Sequence, residues 1–111
     1  MMRVLSGYRV MWIMALFDLP VGTKRERKRA TKFRQFLLDQ GFEMAQFSVY
    51  VRFTRGREHV DTIMGKIGGA VPSSGKVDLI CFTDKQYEAI VSFRGKSDAD
   101  RPQKPEQLAI F

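Results

Sequence analysis

The sequence predicts an α+β protein, a ferredoxin-like split βαβ sandwich in which two helices cover one face of an antiparallel sheet. Three observations carry this. A continuous apolar run, "VMWIMALF", stops at Asp18 and Pro20. Two later segments repeat apolar residues at helical spacing. Between and after them stand β-branched and aromatic stretches, so the order is strand–helix–strand(–strand)–helix–strand.

Each element has its own local reason. Residues 9–18, "RVMWIMALFD", are rich in large apolar side chains and read as a central strand covered on at least one face. "LPVGT" is turn chemistry. Thr23 and Glu26 then form the S/T-x-x-E pattern that starts a helix at Lys24. That helix runs to Asp39 or Gln40, where Gly41 stops it. On a helical wheel Ala30, Phe33 and Leu37 share one sector with Phe36 beside it, while Lys24, Lys28 and Lys32 form a row well away from it. Arg29 stands on the flank. Residues 42–53, "FEMAQFSVYVRF", suit one bent strand or two short strands with a kink near Phe47–Ser48.

After the turn "TRGRE", residues 58–67 carry Val60, Ile63, Met64 and Ile67 at helical spacing. "GGAVPSSG" is a flexible connector without the G-x-x-x-x-G-K-[ST] phosphate-loop pattern. Residues 77–82 alternate as a strand, "TDKQYEA" suits a turn or one helical turn, and "IVSFRGK" reads as a short strand. Residues 1–96 thus make one domain, and 97–111 a polar, proline-bearing linker ending in the strand-like "QLAIF", a segment expected to dock on a partner.

With 111 residues and nine Phe and six Met, the chain can build one core. No apolar run reaches the roughly 18–20 residues that span a bilayer. The first residues lack the pattern of a secretory signal. One cysteine excludes an internal disulfide and a thiolate cluster. These features predict a soluble cytoplasmic protein.

The net charge of +7 is one-sided: residues 1–60 hold twelve Lys/Arg against five Asp/Glu, and residues 61–111 hold seven of each kind. Such a field suits a polyanion or simply a soluble basic surface. Lys24, Arg25, Arg27, Lys28, Arg29, Lys32 and Arg34 are offset by Glu26 alone. Like charges at i, i+4 cost about 0.2–0.5 kcal/mol per pair, and phosphate contacts reverse that sign. Arg52, Arg55 and Arg57 add a second cluster. Nothing points to base readout. His59 is the single histidine, which excludes a His-pair metal site, and reads as a surface helix residue; Cys81 reads as buried packing. Tyr8, Trp12, Phe17 and Phe82 read as core.

Asp18 ends a strand at a sheet rim. It is a turn residue, a partner for Arg25 or Arg27, or a metal ligand. One carboxylate holds Mg²⁺ weakly, since that ion takes six oxygens. The other acids of residues 1–60 have no spacing that brings them beside Asp18, whereas a two-fold partner would supply a second Asp18. A metal site here would belong to a dimer.

These residues carry a resemblance. "ALFDLP" followed by a basic helix, then "QGFEMAQFSVYVRF" and a terminal "QLAIF", resemble the small CRISPR-associated protein Cas-two family in its type II form. The signature is Asp18-Leu19-Pro20 after a hydrophobic strand, with Gln46, Ser48, Val49 and Tyr50 as the second motif. The resemblance implies a homodimer in which two copies of Asp18 share a divalent cation, Mg²⁺ or another. It implies a metal-dependent endonuclease acting on single-stranded RNA or duplex DNA. It also implies a bridge between Cas-one integrase dimers during spacer acquisition. Ser48 and Tyr50 would support the site, and Lys24, Arg25, Arg27, Lys28, Lys32, Arg52 and Arg55 would bind nucleic acid. Family members more often have Tyr before the Asp; Phe17 removes a hydroxyl and no ligand.

Overall fold

The structure is a computed structural model and describes residues 10–95. The "QLAIF" tail, its linker and Tyr8 lie outside those residues. Seven elements follow in order: β1 (Met11–Asp18), α1 (Lys24–Asp39), β2 (Glu43–Gln46), β3 (Val49–Thr54), α2 (Arg57–Gly68), β4 (Lys76–Thr83) and α3 (Asp84–Glu88). The four strands form one sheet in the order β2-β3-β1-β4, every neighbouring pair antiparallel. The α+β ferredoxin-like arrangement expected from the sequence is thus the one observed.

Helix α1 starts where its cap dictates. The Glu26 N–H donates to Thr23 Oγ1 at 3.1 Å, and the Thr23 N–H donates to Glu26 Oε1 at 2.9 Å. Two of the donors orphaned at a helix start are thereby satisfied. The helix buries Ala30, Phe33 and Leu37, the sector picked out by the wheel. Gly41, at φ +89, reverses the chain after it. A side chain there would also strike the Arg52 guanidinium at 3.2 Å. Strands β2 and β3 are separate, because Phe47 and Ser48 form a turn and Ser48 sits at φ 61.

Strand alternation divides β1 cleanly. Met11, Ile13, Ala15 and Phe17 are buried; Trp12, Met14 and Leu16 are half-buried and Asp18 is exposed. The first set meets Phe33, Leu37, Phe42, Tyr50, Val60, Ile63 and Ile67 in the core between sheet and helices. Each such large apolar side chain contributes about 1.5–3 kcal/mol on burial. The buried Thr54 hydroxyl is satisfied by donating to Met11 O at 3.0 Å.

The second set lies on the face the long helices leave open. The register aligns Trp12 with Phe53 and Phe82, Met14 with Val51 and Ile80, and Leu16 with Val49 and Asp78. Trp12 and Phe82 therefore belong to this open face and not to the helix-covered core. The face is apolar along most of its length. Its end nearest Thr83 is covered by α3, the helical alternative for "TDKQYEA", where Tyr87 stacks on Trp12 at 3.8 Å. Trp12 Nε1–H also donates to Asp84 Oδ1 at 2.8 Å.

Two further expectations need correction. "IVSFRGK" is not a strand: residues 90–95 have no regular structure, and Ile90, Val91 and Phe93 are exposed. A strand exists by pairing, and this segment, set off from β4 by α3, has no register partner in the sheet. Cys81 is half-buried at the margin of the core, with Arg57 Nη1 3.6 Å from its sulfur. Among the described residues, no helix is long and apolar enough to cross a membrane.

Candidate functional site

The two sequence motifs meet at one end of β1. The Phe17 N–H donates to Ser48 O at 3.0 Å, which sets the turn between β2 and β3 beside the strand end that carries Asp18. Tyr50 goes elsewhere. It pairs in register with Ala15, is buried, and rests its ring 5.5 Å from that of Phe17 on the helix side of the sheet. Of the two supporting residues expected, Ser48 neighbours the Asp18 end through its backbone, and Tyr50 braces the opposite face.

Asp18 is exposed and shares its face of β1 with Trp12, Met14 and Leu16. Its cross-strand partner is Lys76, and the adjacent pair on the same face is Leu16 with Asp78. Lys76 Nζ lies 3.4 Å from Asp78 Oδ2, the one ion pair among the described residues. Asp18 is therefore not tied to Arg25 or Arg27, the bland alternative for an acid at this turn. The Lys76–Asp78 pair is not among the residues the sequence singles out. The Lys-x-Asp alternation entering β4 was visible, but the register that brings it beside Asp18 is long-range.

Among the described residues, no group of three His, Cys, Asp or Glu side chains could hold a metal ion. One chain thus offers Asp18 with a single diagonal carboxylate neighbour, short of a metal site. Two copies of the Asp18 rim would present a carboxylate each, and hydrated Mg²⁺ takes one or two with water and phosphate oxygens.

The expected phosphate-binding cations fall into two groups. Lys24, Arg25, Lys28 and Lys32 are exposed on α1, on the side away from Phe33 and Leu37. Arg27 is exposed as well, with its Nη1 donating back to Val21 O at 3.1 Å. In the second group Arg52 is engaged inside the fold. It donates to Gln40 O, to Phe53 O at 3.2 Å, and approaches His59 Nε2 at 3.4 Å. Arg55 and Arg57 remain exposed at the turn leading into α2. The structure keeps the α1 cations together as one surface and does not join the half-buried Arg52 to them.

His59 is half-buried and not a plain surface residue. Its Nδ1 accepts from the Arg55 N–H at 3.1 Å, leaving the proton of the neutral ring on Nε2, toward Arg52. Desolvation first, then the positive charges of Arg52, Arg55 and Lys66, hold its pKa below the ordinary histidine value.

The fold and this surface define a small α+β protein with a cationic helix and an acidic strand end beside an open apolar sheet face. The chain belongs to the CRISPR associated protein Cas2 family, whose description matches residues 11–90. It is 51% identical over 108 residues to a CRISPR-associated endoribonuclease Cas2 of Paracidovorax avenae, spanning 97% of this chain and 100% of the relative. It is 41% identical over 107 residues to the protein of that name in Flavobacterium psychrophilum, spanning 96% and 93%. A solved structure described as "Crystal structure of cas2" superposes with a TM-score of 0.54 at 18% identity, over 85% of this chain and 99% of that one. That likeness concerns the fold.

Proposed function

We propose that the protein works as a cytoplasmic homodimer in CRISPR spacer acquisition. It carries nucleic acid on the α1 cations, bridges Cas-one integrase dimers, and pairs its two Asp18 carboxylates around Mg²⁺ or another divalent cation. The observation that carries this reading is the place of Asp18, at the rim of an apolar sheet face left open by the long helices. Ile80 and Phe53, 48% and 55% exposed on that face, are a cost in water that a second copy would remove. Face-to-face packing about a two-fold axis near the rim brings like residues together.

In this dimer Lys24, Arg25, Lys28 and Lys32 hold sugar–phosphate backbone without reading bases, and Asp18 holds the cation. When bound, the cation supplies neutralisation of phosphate charge and a more acidic water for phosphodiester hydrolysis. The Ser48 carbonyl fixes the strand end from which Asp18 projects. RNA is the favoured substrate, on the strength of the endoribonuclease name carried by the relatives. Duplex DNA is the cargo during acquisition. The type II form is proposed from the "QGFEMAQFSVYVRF" and "QLAIF" motifs, and neighbouring genes would test it.

A second reading, a bridge that does not cut, is favoured by the absence of a third acidic or histidine ligand among the described residues. One experiment separates the two. Light scattering establishes the mass, and labelled RNA and duplex DNA are incubated with Mg²⁺ and either wild type or Asp18→Ala. Cutting by wild type alone supports the metal site. No cutting by either, with spacer acquisition retained in Asp18→Ala, supports the bridge. A wild-type monomer overturns both.

A further inference from the structure

Gly75, the residue just before β4, is pressed against the segment that carries Asp18. A Cβ placed on it would lie 2.8 Å from Asp18 O, 2.8 Å from Leu19 Cδ2 and 3.0 Å from Pro20 Cδ. Real Cβ atoms essentially never come within 3.0 Å of a neighbour and ordinary contacts begin at 3.4 Å, so relief to an ordinary contact would part Gly75 and the Asp18 carbonyl by about 0.6 Å. The Leu19 methyl can swing aside, but the Asp18 carbonyl is main chain and the Pro20 ring is held by its own backbone. Gly75 also sits at φ +99, a conformation that L side chains rarely adopt. The next residue, Lys76, is the register partner of Asp18. Just upstream, Pro72 and Ser74 close a small crevice against Leu19, Pro20 and Ala30. Residues 72–75 thus form a strap binding the acidic strand end to the first turns of α1.

We propose that Gly75 is a positioning residue for Asp18: its bare Cα lets this strap lie on the Asp18–Pro20 backbone and so fixes where the carboxylate stands. The inference rests on the reading of Asp18 as the functional acid. Ligand constellations tolerate displacements of about 0.5 Å, and full relief of the contact made by a single methyl group is of that size.

The test compares Gly75→Ala and Gly75→Asn with Gly65→Ala, a glycine with nothing within 4 Å of an added Cβ. Asn tolerates positive φ better than Ala, so it separates contact from backbone strain. With ¹³C-labelled aspartate, the Asp18 carboxyl and the Asp18 and Leu19 amide resonances are expected to move in both Gly75 variants, and to stay in place in Gly65→Ala. Mn²⁺ affinity, read by electron paramagnetic resonance, is expected to fall about tenfold in the Gly75 variants. Unmoved Asp18 resonances in a folded Gly75→Ala dimer overturn the inference. If neither Gly75 variant folds, the wild type decides it. A strong nuclear Overhauser effect between the Gly75 Hα protons and a Leu19 methyl supports the strap, and its absence overturns it. Wild type that binds no Mn²⁺ through Asp18 overturns the metal reading, while the Asp18 resonances still decide the role of Gly75.

Discussion

Replacing Lys24, Lys28 and Lys32 together by Gln should weaken nucleic-acid binding while making the protein more stable. The three lie one helical turn apart along the exposed side of α1. At 1.5 Å rise per residue, successive lysines are about 6 Å apart and the row is about 12 Å long. One strand of duplex DNA carries a charge every 3.4 Å or so of axis, and the row spans about three phosphates. Each contact contributes a slope of about 0.9 in log K against log salt, or about 0.7 log unit at 0.15 M salt. Losing three should lower affinity about 100- to 200-fold per engaged subunit and flatten the slope by about 2.7. Two like-charge i, i+4 pairs vanish at once, worth about 0.4–1 kcal/mol of added helix stability. Gln keeps the helix propensity nearly constant. Fluorescence anisotropy from 50 to 300 mM KCl at about constant pH, with thermal melts alongside, measures both effects. An unchanged slope with full affinity would show that the row is only a solvated face.

Three further outcomes follow from other parts of the molecule. Ile80→Glu puts a charge on the open face at a half-exposed position, so the chain should stay folded while the proposed dimer dissociates in light scattering; an intact dimer would move the interface elsewhere. Ser48 occupies the left-handed region at φ 61, so Ser48→Gly should be neutral or stabilising by up to about 1 kcal/mol, and Ser48→Val should cost about 1–2 kcal/mol in urea denaturation. Because the folded protein holds the His59 pKa below its unfolded value, the unfolded chain takes up the proton first as pH falls. Stability should therefore decline from about pH 6.5 downward and level off once the folded-state pKa is passed, and His59→Asn should remove that part of the decline in pH-dependent melts.

Local chemistry was the legible part of this sequence. The Thr23–Glu26 cap, the buried sector of α1 and the break at Phe47–Ser48 each depend on residues within a few positions of one another. The charge asymmetry likewise located the basic surface. What sequence reading could not supply was register. Nothing local says that Lys76 lies opposite Asp18, that Gly75 rests on its carbonyl, or that Tyr50 faces away from it. Arg52 shows the same limit: by sequence it is one more cation beside Arg55 and Arg57, and only the packing of β3 beneath the α1 terminus turns its donors inward. The apolar "IVSF" read as a strand because periodicity reports surface that seeks cover, not whether one chain provides it.

The central place of β1 has a consequence for biosynthesis. Both of its edges are filled by segments made much later, β3 on one side and β4 on the other. Such distant pairing is slow to assemble, because chain closure precedes any reward from contact. A nascent chain leaving the ribosome before residue 76 has its basic helix but not the ladder that seats the acidic strand end. Truncations short of β4 should be insoluble fragments instead of weakened proteins, and the acidic end of β1 is among the last parts of the sheet to be seated.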